Sequence, residues 1–293
     1  MPLAKEGNIE RILTNLNPKK ASGSDSIPPK IVIRSAEYLC KPLTKIINAT
    51  ITQKKFPENA KLTRVTPIYK NPKDGSRLES THYRPISVLS VFSKVIEKHY
   101  ETSMIDYVNS ILSKYISGFR KGHSCQHVLL RLTEEWRKQL DNNKVFGALF
   151  MDLSKAFDCL PHDLLLAKLE AYGFDIHTLR LFQSYLSKRK QFVNIHGFMS
   201  DILEILSGVP QGSILGPILF NIFINDLLLH IKSTNTHNYV DDNTRSTQGN
   251  IVNETTKFLE NGTEEALAWF TSNGISTNAD KFHAILARED ACC

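Results

Sequence analysis

No stretch of this sequence is long and apolar enough to read as a membrane span. The most apolar window, Ser213 to Ile231, carries Pro217, Asn221, Asn225 and Asp226 and barely reaches spanning length, so it reads as a buried helix. Met1 to Leu13 reads as a polar stretch entering a helix, with no apolar run or small-residue cleavage site, so secretion is not expected. The five cysteines, Cys40, Cys125, Cys159, Cys292 and Cys293, are odd in number and scattered. That pattern argues against a disulfide framework and fits a reducing, intracellular compartment, nuclear or cytoplasmic. His123, Cys125 and His127 have ligand chemistry but neither the paired spacing nor the second pair of a zinc site. Three glycosylation-type triplets, at Asn48, Asn253 and Asn261, would matter only in a secreted chain and are set aside. Repeats, heptads and low-complexity tracts are lacking, and Pro and Gly never cluster into a linker. One interleaved globular unit is expected.

What is present is an ordinary globular composition, 41% hydrophobic and 23% charged, with enough length for a sizeable core. The net charge of +6 conceals a division. Residues 1–140 hold 24 Lys/Arg against 12 Asp/Glu, whereas residues 141–293 hold 12 against 18. A basic half suits a polyanion, because each neutralised phosphate releases counterions; an acidic half suits divalent metal. A solvated basic surface would give the same counts.

Apolar spacing predicts helices over residues 8–16 and 35–52, separated by a loop from Lys19 to Pro29, and a strand over Arg64–Tyr69. A turn-rich segment from Asn71 to Ser80 precedes a helix over Ile86–Val108. Val145 to Met151 is a continuous apolar run of strand length, with Asp152 at its exit. Helices follow from Pro161 to Gly173 and from Ile176 to Lys188, then strands Gln191–His196 and Ile202–Leu206 joined at Gly197. The helix Ser213–Ile231, a short hairpin over Tyr239–Arg245 with Asp241 and Asp242 at its tip, a helix over Val252–Ser272 and a strand over Lys281–Ala287 complete the reading. Strands divided by paired helices, without regular βαβ alternation, indicate an α+β fold.

Extending a nucleic-acid chain requires activation of a hydroxyl and stabilisation of charge on phosphate, work that two metal ions held by convergent carboxylates can do. A carboxylate leaving a buried strand and a carboxylate pair on a neighbouring hairpin would supply the ligands. Taken singly, Asp152 or a doubled Asp is ordinary cap or turn chemistry. The ordered set is more specific: Phe150-Met151-Asp152-Leu153-Ser154-Lys155-Ala156-Phe157-Asp158, then Gly208-Val209-Pro210-Gln211-Gly212-Ser213, then Tyr239-Val240-Asp241-Asp242.

These three segments resemble motifs A, B and C of reverse transcriptases. Lys20 to Pro28, Tyr83-Arg84-Pro85-Ile86-Ser87 and Ser117 to Ser124 are similar to flanking blocks of the non-LTR retrotransposon enzymes, so the likeness runs from about the first helix to Leu286. The resemblance implies the fingers and palm of a right-hand polymerase, with an antiparallel palm sheet packed on helices. Its segments would be an N-terminal extension over 1–58, fingers over 59–140 and a palm over 141–290. It further implies RNA template, DNA primer and deoxynucleoside triphosphates as partners, and two Mg²⁺ ions, or Mn²⁺, at Asp152, Asp241 and Asp242.

By the same resemblance, Lys70 and Arg84 would hold the triphosphate, and Phe157 would exclude a 2′-hydroxyl. Gln211 would touch nucleotide or template, and Lys281 would give a proton to pyrophosphate. Arg120 and Lys121 would meet template phosphates. Val240 departs from the family, where Ala is commoner, and the sequence stops soon after Ile285, where a primer grip and thumb would follow; nor is there room upstream for an endonuclease. A nucleic-acid-binding remnant without catalysis is therefore the alternative, with another palm polymerase, such as an RNA-dependent RNA polymerase or intron maturase, as a third reading.

Overall fold

A computed structural model describes residues 1–70, 76–154 and 156–288. The start of the turn expected from Asn71, together with Lys155, Cys292 and Cys293, lies outside the described residues. Contacts divide the chain into two compact units, each made of two stretches: residues 1–107 with 162–218, and residues 108–161 with 219–293. The sequence reading had divided the chain into three consecutive segments.

The first unit is a mixed sheet with helices. Helix α1 (Glu6–Thr14) buries Ile9 and Leu13, and α2 (Pro29–Arg34) begins with a proline, whose missing N–H costs nothing in a first turn. Then come α3 (Ala36–Gln53) and the strands β1 (Leu62–Tyr69) and β2 (Tyr83–Val88), which pair antiparallel. The predicted helix from Ile86 therefore starts late. Pro85 and its neighbours pair with β1, and helix α4 (Val91–Ile111) begins only after Ser90, whose hydroxyl accepts the Phe92 amide.

Helix α6 (His162–Ala171) ends in a Schellman motif: Gly173, at φ +85°, donates to the Glu170 carbonyl and Phe174 to the Leu169 carbonyl. Helix α7 (Ile176–Leu186) is capped by Asp175, which accepts the His177 and Thr178 amides. Strand β4 (Arg189–Ile195) runs parallel to β1 and carries two short antiparallel neighbours, β5 (Phe198–Met199) and β6 (Leu203–Ile205). The turn falls at Gly197 as expected, but His196, expected at the end of the strand, joins it at positive φ, and the turn leads into β5.

The second unit is built on an antiparallel sheet. Its central strand β3 (Val145–Ser154) lies between β10 (His283–Ala287) and β8 (Asp242–Gly249), and β7 (Asn235–Tyr239) flanks β8. A two-residue strand β9 (Ser276–Thr277) pairs with the end of β3. Helix α5 (Cys125–Asp141), which the sequence reading omitted, is capped by the Ser124 hydroxyl and packs Trp136 on Phe146. Helix α10 (Val252–Ser272) matches its predicted limits.

The predicted helix Ser213–Ile231 is broken into α8 (Gly216–Ile224) and α9 (Leu227–His230). Its start is delayed because the Ser213 hydroxyl caps the Gly216 amide, and at its break Asn225 bonds the Ser113 amide and the Ile111 carbonyl. No described helix is long and apolar enough to cross a membrane.

Candidate active site

Strand β3 continues past Met151, so Asp152 is a paired strand residue and not, as expected, the residue at the exit. Its Cα partner across the ladder is Asp242, the first residue of β8. Tyr239 pairs with the same Asp242 from β7, leaving Val240 and Asp241 as a two-residue turn. The tip is thus Val240-Asp241, one position earlier than predicted.

Antiparallel register brings Asp152 and Asp242 opposite one another, with Asp241 beside them. Burial pushes the Asp242 carboxyl above the usual carboxylate range, and the Asp241 and Asp152 charges push the same way; Lys281 opposes them. Lys281 precedes β10, in a 3-10 turn over Ala279–Lys281 instead of the predicted strand, and its ammonium lies 2.8 Å from Asp152 Oδ2. The Asn278 amide also donates to the Asp152 carbonyl. All four charged groups therefore share one end of the β10-β3-β8-β7 sheet.

Val240 sits at φ +63°, a region costly for a β-branched residue. A strap holds it there. The Ile116–Asn238 bridge runs parallel to β7, Ser117 donates to the Asn238 carbonyl, and the Asn238 amide donates to the Tyr115 carbonyl. Gly118 follows. A Cβ on it would stand 2.8 Å from the Val240 nitrogen and 2.5 Å from Val240 Cγ2, so only glycine permits this approach. The Gly118 carbonyl accepts from Asn221 of α8.

Phe157 is partly exposed, stacked on Phe220 with centroids 4.9 Å apart and edge-on to Phe119 at 6.0 Å. Arg120 is engaged by its own neighbourhood. Its guanidinium points inward, donating to the Ser113 carbonyl (2.7 Å), the Ile116 carbonyl (3.0 Å) and the Asn109 side-chain and backbone oxygens. It braces the strap through these donors. Lys121 is exposed.

Lys70, Arg84 and Gln211 belong to the first unit, where β1–β2 collects them. The Lys70 ammonium donates to the Thr81 carbonyl at 3.0 Å, and Arg84 is exposed opposite Ile68. The Gln211 carbonyl accepts the Ser87 amide at 2.9 Å, and Gly212, at φ +122°, lets the loop touch the Ser87 carbonyl.

Sequence reasoning missed what holds this loop. Glu97 of α4 is fully buried, and its carboxylate accepts the Ile214 amide at 2.7 Å, the Leu215 amide at 3.4 Å and the Ser93 hydroxyl. Arg189, also fully buried, supplies opposite charge and lies over the Tyr185 ring. An acidic residue on the apolar stripe of α4 was the available signal.

The donor set of Asp152, Asp241 and Asp242 fits a hard divalent cation: its ligands are all oxygens, their charges repel, and one already attracts a cation. Among the described residues no three acidic, imidazole or thiol groups already converge on one point, so the carboxylates would have to turn inward and Lys281 withdraw.

A family model described as reverse transcriptase (RNA-dependent DNA polymerase) matches residues 69–291, and the chain belongs to that family. Within it, the chain is of the non-LTR retrotransposon kind. It is 30% identical over 281 residues to a probable RNA-directed DNA polymerase from transposon BS of Drosophila melanogaster, covering 92% of this chain. The RNA-directed DNA polymerase from mobile element jockey, of the same organism, is 26% identical over 282 residues, covering 93% of this chain. In both cases the chain spans 30% of the relative's length. Among solved structures, apo telomerase from Candida tropicalis, truncated from its C-terminal domain, matches with a TM-score of 0.54 at 15% identity, covering 80% of this chain and 52% of that one, a likeness of fold.

Proposed function

We propose that the chain is the fingers-and-palm part of an RNA-directed DNA polymerase, extending a DNA primer on an RNA template with deoxynucleoside triphosphates. In this reading the sheet bearing Asp152 is the palm, and the unit bearing β1–β2 belongs to the fingers. The observation that carries it is the register of β3 and β8, which sets Asp152 against Asp242 next to Asp241.

Asp152, Asp241 and Asp242 would hold two divalent cations, Mg²⁺ or Mn²⁺, which when bound would activate the primer 3′-hydroxyl and stabilise charge on the transferred phosphate. The remaining work falls to the chain's own groups. Lys70 and Arg84 offer one point charge and one bidentate fork to a triphosphate. The braced Phe157 ring would stand beneath the sugar and exclude a 2′-hydroxyl. Gln211, on a loop held to β2 and to Glu97, would contact the incoming nucleotide or template. Lys281, once it leaves Asp152, would give a proton to the departing pyrophosphate. Lys121 remains available to a template phosphate.

The test is primer extension on an RNA template by the purified chain, with Mg²⁺ and then Mn²⁺. Incorporation should stop in Asp241→Asn while the protein stays folded; extension surviving that change would misassign the site.

A further inference from the structure

A groove of about 600 Å³ in the first unit runs between the end of α3, the segment to Lys61 and the end of α7. It is lined by Lys54, Lys55, Arg180 and Lys188, none of which has an ion-pair partner among the described residues, and by Lys61, which is paired to Glu58. Five cations thus face one carboxylate. Two of them come from the half of the sequence with a net negative balance, so the cluster exists only in the folded chain.

The groove is preorganised. The Phe56 amide donates to the Ser184 hydroxyl at 2.9 Å, the Lys190 amide donates to the Lys61 carbonyl, and Phe56 meets Tyr185 edge-on. Lys54 and Lys188 lie at φ +57° and +55°, a left-handed backbone that a non-glycine residue keeps only where its surroundings impose it. Helix ends attract cations, which accounts for a lysine after α3 and another after α7. It does not account for Arg180, inside α7, or for the nearly buried Lys61.

The same lysines act on Glu58. The hydrogen bond from Lys61 holds its carboxyl below the ordinary range, and the charges of Lys61, Lys55 and Lys188 add to this against the opposing effect of burial. Gln183 adds a neutral amide able to donate to phosphate oxygens.

We propose that this groove binds the phosphodiester backbone of a nucleic-acid strand, on residues outside the polymerase motifs. The inference rests on the polymerase reading only for the presence of nucleic acid. Contacts of this kind position a strand without reading its sequence, and each adds to the salt dependence of binding.

The experiment measures affinity against salt for single-stranded RNA and, separately, single-stranded DNA. The protein is compared with Lys55→Ala/Arg180→Ala/Lys188→Ala, three exposed positions, and with a control, Lys30→Ala/Lys41→Ala/Lys45→Ala, also exposed. The groove variant should flatten the log–log slope by about 2 for at least one strand type, at roughly 0.7 per lost contact, and the control should leave it unchanged. The strand whose slope falls identifies the source of the phosphates. Bound strand should also shield Lys55 and Lys188 from acylation.

Equal slopes in groove variant and control overturn the proposal, as does a groove effect seen only on phosphatidylserine vesicles. If the unaltered chain extends a primer but the slopes are equal, the groove fails alone. If it binds through the groove but extends nothing, the polymerase reading fails alone. A chain that binds neither strand defeats both.

Discussion

The Lys281 ammonium lies 2.8 Å from Asp152 Oδ2, although 129 positions separate the two residues in the chain. A metal ion recruited by Asp152 must displace it. Solvent-accessible pairs of this type contribute about 0.2–1 kcal/mol, so Lys281→Met should tighten Mg²⁺ binding by up to about fivefold. The midpoint of the Mg²⁺-dependent rise in melting temperature measures this. If Lys281 is also the proton donor, incorporation at saturating Mg²⁺ should fall in the same variant. An unchanged midpoint would mean that the contact does not compete with metal.

Gly118 packs backbone to backbone against Val240, so Gly118→Ala must move the hairpin that carries Asp241 and Asp242. The rate of extension should drop by at least about tenfold, as expected when a reacting group is misplaced by a fraction of an ångström to an ångström. Gly7→Ala is the contrasting change. Gly7 lies in α1 with nothing within 4 Å, so its replacement should raise stability by up to about 1 kcal/mol without touching activity.

Phe157 owes its fixed position to Phe220 and Phe119. Phe157→Val should leave the carboxylates in place and raise incorporation of ribonucleotides relative to deoxynucleotides. Competition between the two nucleotide types gives the ratio, and a ratio unaffected by the change would leave Phe157 as a core aromatic only.

Glu97 is a fully buried acid of the first unit. Glu97→Ala should cost about 3–5 kcal/mol, because Arg189 is left as an unmatched buried charge and two amides lose their acceptor. Glu97→Gln keeps the shape and should cost less.

The pH dependence has a definite sign. Burial raises the folded-state pKa of Glu97, so the folded chain holds its proton at pH values where the unfolded chain has released it. Its contribution to stability falls as pH rises from the unfolded value, about 4.3, through the folded one. Melting curves of Glu97→Gln should lack that component; an identical pH profile in both proteins would rule it out.

Much of the architecture was legible because local chemistry and burial agree. The Val252–Ser272 helix, the Gly173 stop and the Gly197 turn follow from periodicity and backbone freedom. Ile86–Val88 were misread as helix because their apolar spacing continues into α4, and only pairing with β1 distinguishes the two. Helix α5 was missed because its buried stripe is narrow, with Val128 and Leu132 on a largely polar segment. The carbonyl contacts of Arg120 were not legible because a charge in a sequence does not show which way its side chain points.

The sequence alone determined the family, the order of the carboxylate-bearing segments and their attachment to strands, since these depend on residue type and spacing along one chain. The tertiary structure decided what spacing cannot encode: the register opposing Asp152 to Asp242, the Lys281 contact, the approach of Gly118 to Val240, and the gathering of Lys54, Lys55, Arg180 and Lys188. Each joins residues distant in the chain, so it is set by strand pairing and burial and not by local propensity.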